Sequence, residues 1–321
     1  VLIKGVLKRF LILCWMILLA SCDKNPVNQS STYLAPLGDP IAESVLWSPV
    51  DDSLILVSAG YADFMEKEIY ILNIKTKEKN IIAQTNRGIL SAQAWSPDGK
   101  QIILSAFQDT VGFEDGGLWR FDITSTDIEY FHEEPSNLIW GPEKDQLIFD
   151  RVKKTKNEKI ITELVLMDSE TQQEMILYST EPESGIAGFS LSPDGKKLVF
   201  AVGNSDPIMT NTDIYILDLV SRDITTILSG GDNKYPVWSP INDFVVVVNK
   251  RYDGVEAVYS YLFINSTTAC NFFAFESNLL FPPSWSPDGS YLAYIDFDKD
   301  GIYLFNVNSF FQGNEQAHRC L

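Results

Sequence analysis

The stretch "AWSPDGKQIILSAF", residues 94–107, combines a tight turn with a strand. In Ser-Pro-Asp-Gly the proline presets φ at the second position and the glycine accepts a left-handed exit, a pattern typical of a type I turn. Apolar residues then alternate through "KQIILSA", which predicts a strand. The same turn returns in "LSPDGKKLVFA" from Leu191 and in "WSPDGSYLAYI" from Trp285. A turn that recurs within one chain indicates a repeat architecture.

Six segments align on this turn, at intervals of 48, 45, 51, 47 and 47 residues. The aligned residues at the tryptophan position are Trp47, Trp95, Trp140, Leu191, Trp238 and Trp285. Together with the short stretch before the turn, most units supply four strands. This period predicts an all-β fold, a six-bladed β-propeller of four-stranded blades. A two-sheet sandwich would not require the same turn six times.

The two ends of the chain are expected to share one blade. The sixth unit has no obvious outer strand in "SFFQGNEQAHRCL", whereas "STYLAPL", residues 31–37, reads as a strand before the first unit. We therefore expect residues 31–37 to complete the last blade and close the ring, which leaves no blade with an open edge. The alternative is a disordered tether that continues to residue 40. The predicted propeller spans residues 31–312, and residues 313–321 form a C-terminal tail.

The repeat units resemble the TolB-type propeller repeat, in which a Trp-Ser-Pro-Asp-Gly turn joins the innermost strand of a blade to the second strand. The resemblance covers roughly residues 32–308 and implies the fold without specifying the function. Two features depart from TolB itself, which carries an α/β domain before its propeller and is not lipid-anchored. The sequence is therefore interpreted as an architectural relative of that family.

The N-terminal region has the pattern of an export signal. Three cations precede the short apolar run "LILCWMILLA", which is typical of a secretory signal and shorter than the ~20 residues that span a bilayer. Leu19-Ala20-Ser21-Cys22 resembles the bacterial lipobox. The resemblance implies cleavage between Ser21 and Cys22 and acylation of Cys22, with residues 1–21 as signal peptide and residues 22–30 as lipidated tether. An ordinary signal peptide with an incidental cysteine is the alternative, and the choice between inner and outer membrane stays open.

The charge of the chain limits its partners. The 321 residues carry a net charge of −18, and loss of the three cations in residues 1–21 leaves −21. An acidic protein of this kind is repelled by nucleic-acid phosphates and by anionic lipid. "RVKKTKNEK", residues 151–159, is the only cationic cluster. Nucleic acid is therefore a poor candidate partner, and contact with the lipid bilayer is expected through the acyl group on Cys22.

No catalytic motif is present in the sequence. The two histidines, His132 and His318, exclude His-rich metal sites and an HExxH motif. A Ser-His-Asp triad would have to use one of them, and there is no GxSxG elbow. We therefore predict a protein without catalytic residues and without a cofactor.

One loop leaves a metal ion open. In "DFDKDG", residues 296–301, the alternating Asp296, Asp298 and Asp300 match the start of an EF-hand loop. The ninth and twelfth positions are Leu304 and Val307, so the terminal acid of an EF-hand is missing. A tight Asp-Gly connection between two strands is the other interpretation of this candidate Ca²⁺ loop.

Two further cysteines, Cys270 and Cys320, would lie in an exported and disulfide-permissive compartment. Both are expected at the propeller rim that carries the repeated turns. A Cys270–Cys320 disulfide could therefore fasten the tail, and two free thiols are the alternative.

The six loops between the second and third strands differ from one another, and binding residues concentrate in loops on rigid scaffolds. Aromatic, methionine and arginine side chains are typical interface anchors. The candidate interaction residues are Tyr61, Phe64, Phe113, Arg151, Met209, Arg251 and Tyr252. The sequence thus predicts a lipid-anchored, periplasm-facing propeller that binds another envelope protein without catalysis. The alternative is an envelope enzyme or binding protein that acts on a glycan or a peptide at the channel mouth.

Overall fold

The computed structural model describes residues 31–36, 38, 41–60, 67–107, 110–113, 116–132, 137–204, 211–253, 256–267, 271–277 and 281–314. These residues form six antiparallel sheets of four strands each. Each sheet is one blade, and the six blades make a six-bladed β-propeller. The fold class predicted from the repeat is confirmed.

The blades follow the order of the sequence. Blade 1 contains β2 (Ile41–Trp47), β3 (Leu54–Gly60), β4 (Lys67–Asn73) and β5 (Lys79–Thr85). Blade 2 contains β6 (Leu90–Trp95), β7 (Gln101–Ala106), β8 (Gly117–Asp122) and β9 (Ile128–His132). Blade 3 contains β10 (Leu138–Trp140), β11 (Gln146–Lys154), β12 (Ile160–Asp168) and β13 (Glu174–Ser179). Blade 4 contains β14 (Ser184–Leu191), β15 (Lys197–Asn204), β16 (Asp213–Asp218) and β17 (Ile224–Leu228). Blade 5 contains β18 (Asp232–Trp238), β19 (Phe244–Asp253), β20 (Glu256–Asn265) and β21 (Asn271–Ser277). Blade 6 contains β22 (Ser284–Trp285), β23 (Tyr291–Asp296), β24 (Gly301–Asn306) and, at its outer edge, β1 (Ser31–Pro36).

The ring closes through both ends of the propeller, as predicted. Strand β1 pairs antiparallel with β24, so that Tyr33 lies opposite Tyr303, and their rings meet edge to face at 5.6 Å. The predicted seventh residue of this strand, Leu37, lies outside the described residues.

The apolar core consists of six clusters, each between two neighbouring blades. In blade 1, Ile55 packs towards blade 6, and the next residue, Leu56, packs towards blade 2. Successive side chains of a strand point to opposite faces of its sheet, so each second strand is buried on both faces. Two of the tryptophans also bond across blades: Trp95 Nε1 donates a hydrogen bond to the Leu46 carbonyl at 3.2 Å, and Trp285 Nε1 donates one to the Val237 carbonyl at 3.4 Å.

The aspartates of the repeated turn stabilise the turn itself. Ser96 Oγ donates to Asp98 Oδ1 at 2.7 Å, and Lys100 N donates to the same oxygen at 3.1 Å. The bond from Ser96 is the main reason why the pKa of Asp98 lies below its usual value. The same Ser–Asp contact recurs in blades 4 and 6, at Asp194 and Asp288.

The turns dock against each other in pairs. Gly289 of blade 6 has φ +68°, and a Cβ added to it would lie 2.5 Å from Ile241 Cγ1 in the turn of blade 5. The other two Ser-Pro-Asp-Gly turns, in blades 2 and 4, bring their glycines against Val50 and Pro142 of the preceding blades. Even-numbered blades therefore supply a glycine, and odd-numbered blades supply the apolar side chain that packs on it.

A short helix, α1 (Val307–Gly313), follows β24 directly. The Asn306 side chain accepts a hydrogen bond from Ser309 N at 2.8 Å and caps its first turn. Phe310 and Phe311 are buried, and the Phe311 ring lies 5.2 Å from that of Phe244 in blade 5. The expected boundary at residue 312 thus falls within a helix that the sequence analysis did not predict. No helix in the described part of the chain is long and apolar enough to cross a bilayer.

Candidate interaction surface

The propeller has two rims with different loops. The repeated turns, which join the first and second strands, and the connections between the third and fourth strands lie on one rim, here named the turn rim. The opposite end, named the variable rim, carries the connections between the second and third strands and those between successive blades. The connections between the second and third strands are residues 61–66, 107–116, 155–159, 205–212, 254–255 and 297–300.

The predicted interaction residues other than Arg151 fall into three groups. Tyr61, Phe64 and Met209 lie outside the described residues. Arg251 and Tyr252 are exposed at the end of β19, Tyr252 by 62%. Phe113 is only 5% exposed, and its ring packs edge to face on Trp119 at 5.0 Å. Phe113 is therefore a packing residue beneath its loop and not an exposed anchor, because a large ring in a loop lowers its energy by covering the adjacent core.

Two connections of blade 2 join into one hydrogen-bonded unit, named the double loop (residues 87–89, 107 and 110–113). Phe107 N donates to the Ile89 carbonyl at 3.1 Å, and Val111 N donates to the Arg87 carbonyl at 3.0 Å. The Thr110 hydroxyl donates to the Ile89 carbonyl at 3.0 Å and accepts from Ile89 N at 3.1 Å. Thr110 is fully buried, so this bonding holds the double loop from within.

The double loop exposes three apolar side chains, named the apolar patch: Ile89 by 42%, Phe107 by 50% and Val111 by 45%. Exposed apolar groups that are clustered and held in place mark interaction sites more often than isolated ones do. The sequence analysis missed all three residues, because the patch exists only when residue 89 pairs with residues about 20 positions further on. Thr110, a threonine within a loop, was the only local sequence signal for this pairing.

A glycine permits the close approach within the double loop. Gly88 has φ +107°, and a Cβ at this position would lie 2.5 Å from Thr110 Cα. A contact with backbone cannot be relieved by a side-chain rotation. Glycine is therefore required for the two connections to meet.

Blade 1 carries a nearly buried ion pair at the same rim. Lys67 Nζ lies 2.5 and 2.7 Å from the two carboxylate oxygens of Glu43. The lysine side chain is 5% exposed and the glutamate side chain 35% exposed. Lys67 reaches Glu43 by lying across Gly60, where any larger residue would block it. The pair fixes the first residue of β4 to the inner strand β2.

The arginine predicted in blade 3 bonds within its own blade. Arg151 lies 3.1 Å from Glu163 and 2.9 Å from Glu174, and its side chain is 19% exposed. Glu163 is 5% exposed and also lies 3.6 Å from Lys153. The neighbouring Val152 is 71% exposed, and the same hairpin also presents Lys153 and Lys154 to solvent.

A cluster of polar groups lies where blade 5 meets the variable rim. Asn233 is held on several sides, since its Nδ2 donates to the Gly230 carbonyl at 2.8 Å and its Oδ1 accepts from Asn249 Nδ2 at 2.7 Å. The adjacent Asp232 is 8% exposed, and its Oδ1 lies 3.3 Å from Lys234 Nζ. Asp232 Oδ2 has no hydrogen-bond partner among the described residues.

Lys250 lies opposite Asp232 in the pairing of β18 with β19, and it lies near two tyrosine rings. Lys250 Nζ lies 5.2 Å from the Tyr252 ring centre and 5.6 Å from that of Tyr259, within cation–π range. The hydrogen bond to Tyr252 is the main cause of the raised pKa of Lys250. Tyr235 adopts φ 54°, a left-handed conformation that is strained for a bulky residue. Burial, followed by the charge of Asp232, raises the pKa of the Tyr235 phenol.

The candidate Ca²⁺ loop forms a tight connection between β23 and β24. Asp296 is fully buried, and its Oδ1 accepts from Asp298 N at 3.1 Å and from Lys299 N at 3.2 Å. Its Oδ2 lies 2.7 Å from Lys299 Nζ. The carboxylate of Asp296 thus bonds to its own turn and to an ammonium group. In the described ranges, no three His, Cys, Asp or Glu side chains lie together as metal ligands.

Other predicted sites lie outside the described residues: Ser21, Cys22, Cys270 and Cys320. His132 is described, and its ring lies 5.7 Å from that of Phe149.

Sequence comparison finds similarity to two kinds of protein, although no protein-family model matches the chain. Dipeptidyl-peptidase 5 of Porphyromonas gingivalis is 36% identical over 90 residues, which are 26% of this chain and 13% of that protein. The Tol-Pal system protein TolB of Francisella tularensis is 26% identical over 257 residues, which are 78% of this chain and 55% of that protein. The chain therefore spans only part of the length of these relatives.

Solved structures share the fold. TolB of Acinetobacter baumannii superimposes with a TM-score of 0.58 and 16% identity, covering 82% of this chain and 62% of that one. An oligogalacturonate lyase of Vibrio parahaemolyticus gives a TM-score of 0.59 and 10% identity, covering 86% of this chain and 93% of that one. The chain is a six-bladed propeller similar to that of TolB, as its repeat predicts, and propellers of this shape also occur in a lyase.

Proposed function

We propose that this TolB-like propeller is a lipid-anchored envelope protein that binds another envelope protein through its variable rim and catalyses no reaction. Similarity to a protein of the Tol-Pal system over 78% of the chain supports the envelope location. The lipobox residues ending at Cys22 support the anchor and a periplasm-facing position.

The apolar patch is the observation that favours binding. Ile89, Phe107 and Val111 are each exposed by between 42% and 50%. The hydrogen bonds of Thr110 order them in advance, so little conformational entropy remains to be lost on association. An aromatic residue within a fixed apolar patch has the character of an interface anchor.

The net charge of the chain limits the kinds of protein that can bind to it. The chain without residues 1–21 has a net charge of −21, so an acidic partner would be repelled. We expect a protein that presents an apolar surface with basic residues around it. Association with such a partner should weaken as salt is added, because salt screens exposed charges.

A crosslinked pull-down of the mature, lipidated protein from cell envelopes tests this function. Phe107→Ser should abolish capture of a defined partner, whereas Ile176→Ser should retain it. Ile176 is a matched control, since it is also 50% exposed but lies on the outer strand β13. Equal capture by both variants, or capture of nothing by the unaltered protein, would contradict a binding role for the variable rim.

One observation favours the alternative, a glycan or peptide site at the channel mouth. Asp232 offers a carboxylate oxygen without a partner in the described chain; it lies beside Lys234 and opposite Lys250, which in turn lies near the exposed ring of Tyr252. Carboxylates and aromatic faces are groups that bind hydroxyl-rich or amine-bearing ligands. Calorimetric titration of the pure protein with soluble cell-wall glycan fragments and short peptides tests this role. Binding that Asp232→Asn abolishes, or turnover of such a compound, would support it.

A further inference from the structure

The direction of β1 fixes the rim at which the chain enters the propeller. In the β1–β24 pair, Ser31 lies opposite Phe305 and Pro36 lies opposite Gly301. Strand β24 begins after the connection 297–300 on the variable rim and ends at the turn rim, where α1 starts. Because β1 is antiparallel to β24, its first residue, Ser31, lies at the turn rim.

The predicted tether has a limited reach. Nine residue-to-residue steps lead from the acylated Cys22 to Ser31, and nine steps span at most about 30 Å when fully extended. The blades themselves are about 20–30 Å from rim to rim, as strands of six to nine residues are. A tether that starts at the turn rim would have to run along the whole side of blade 6 before the variable rim could face the bilayer.

We infer that the turn rim faces the membrane that holds the protein and that the variable rim faces away from it; this orientation rests on the proposed anchor at Cys22. The tether then positions the apolar patch and the Asp232 cluster at the far end of the propeller. There they are accessible to a partner that is not in the same leaflet.

The surface of the turn rim is compatible with a position near lipid headgroups. Three aliphatic side chains are exposed on it, Val50 by 60%, Ile241 by 59% and Val220 by 80%. Lysines lie among them, including the exposed Lys100 and Lys196. Aliphatic and lysine side chains are both tolerated at a membrane interface. The excess of acidic residues in the chain opposes deep insertion, so we expect proximity to the bilayer without penetration.

Fluorescence energy transfer to the bilayer surface can measure this orientation. The full-length lipidated protein with Cys270→Ser and Cys320→Ser receives one reporter cysteine, Val220→Cys on the turn rim or Val152→Cys on the variable rim. The two positions are matched, because both are valines in hairpins with 80% and 71% exposure. Each variant carries a thiol-linked donor and is reconstituted into phosphatidylcholine liposomes that contain a headgroup-labelled acceptor lipid.

We expect efficient transfer from position 220 and weaker transfer from position 152, equivalent to about 20–30 Å of additional distance. Equal transfer, or stronger transfer from position 152, would overturn the orientation while leaving the anchor intact. Failure of the lipidated protein to bind liposomes any better than its Cys22→Ser variant would instead overturn the anchor.

A second measurement needs no cysteine substitution. Lysine acylation of the unaltered lipidated protein is followed by mass spectrometry, in liposomes and in detergent. Liposomes should slow the modification of Lys100 and Lys196 on the turn rim and leave that of the exposed Lys156 on the variable rim unchanged. Selective protection of Lys156 would contradict the inferred orientation.

Discussion

Replacement of Gly88 by alanine is expected to separate the two halves of the double loop. The residue has φ +107°, and a left-handed conformation costs an L-residue about 1–2 kcal/mol. The new Cβ would also lie 2.5 Å from Thr110 Cα, so the connections must move apart. The bonds from Phe107 N, Val111 N and the Thr110 hydroxyl would then be lost, at about 1 kcal/mol each. We expect Gly88→Ala to lower the free energy of unfolding by about 4–5 kcal/mol in all.

Gly112→Ala is the matched control in the same loop. Gly112 has φ +85°, but nothing lies within 4 Å of an added Cβ. Only the conformational cost of about 1–2 kcal/mol applies there. Urea unfolding measures both variants, and amide hydrogen exchange shows where the change occurs. In Gly88→Ala the amides of Phe107 and Val111 should exchange about 100-fold faster, since each 1.4 kcal/mol changes an equilibrium tenfold. Equal losses of stability in the two variants would refute the close-approach argument.

Three further outcomes are expected. Glu43→Gln should destabilise the protein by about 3 kcal/mol in urea unfolding, and Lys67→Met by less. The first variant removes a negative charge beside an ammonium group on a side chain that is 5% exposed, whereas the second leaves a carboxylate that is 35% exposed; the reverse order would contradict the burial argument. Burial raises the pKa of Tyr70 to about 12, so the contribution of Tyr70 to stability should be constant below pH 10, where the unfolded phenol stays protonated. Between pH 10 and 12 that contribution should fall by about 1.4 kcal/mol per pH unit. Unfolding measured across that range should therefore show a decline that is shallower by this amount in Tyr70→Phe, whereas other tyrosines with a raised pKa, such as Tyr235, keep their share; an unchanged decline would contradict the burial of the Tyr70 phenol. Phe311→Ala should lower the free energy of unfolding by about 3–5 kcal/mol in thermal or urea unfolding, because the ring is 7% exposed and packs on blade 5. A negligible loss of stability would show that α1 does not contribute to the packing between blades 5 and 6.

The sequence predicts the fold well because its signal is repeated. A turn that requires a proline φ and a glycine φ recurs at near-constant spacing. Each copy marks the same position within its own blade. Ring closure by residues 31–36 follows from counting strands, since one blade lacks its fourth. The helix α1 occurs once and has seven residues. Its two buried phenylalanines also suit a strand, and the N-cap Asn306 is its only local signal in the described chain.

The sequence indicates which rim carries the candidate site but not which residues form it. Loop sequences show that the variable rim differs between blades, but they do not show which side chains are exposed. Phe113 and Arg151 have the composition of interface anchors, yet one is buried against Trp119 and the other bonds to two glutamates. The apolar patch depends on pairing between two separate connections, which is a tertiary contact. The composition of the loops therefore points to the variable rim as the candidate surface. Only the long-range hydrogen bonds of the structure show which side chains that rim exposes to solvent.

Two of the imperfect copies of the turn have a structural reason that the repeat alone does not reveal. Blades 2, 4 and 6 keep Ser-Pro-Asp-Gly, whereas the turns of blades 1, 3 and 5 read "SPVDD", "GPEKD" and "SPIND". Each of the three glycines receives an apolar side chain from the preceding blade. In blades 1 and 5 this side chain, Val50 or Ile241, stands where Ser-Pro-Asp-Gly has its aspartate, whereas in blade 3 it is Pro142, at the proline position that all six turns share. The turn rim therefore contains three docked pairs of turns, and in two of them a departure from the repeat supplies the docking side chain. The residues of the turn rim are therefore constrained by packing between blades. The loops of the variable rim are not constrained in this way, so their sequences can change to fit a partner.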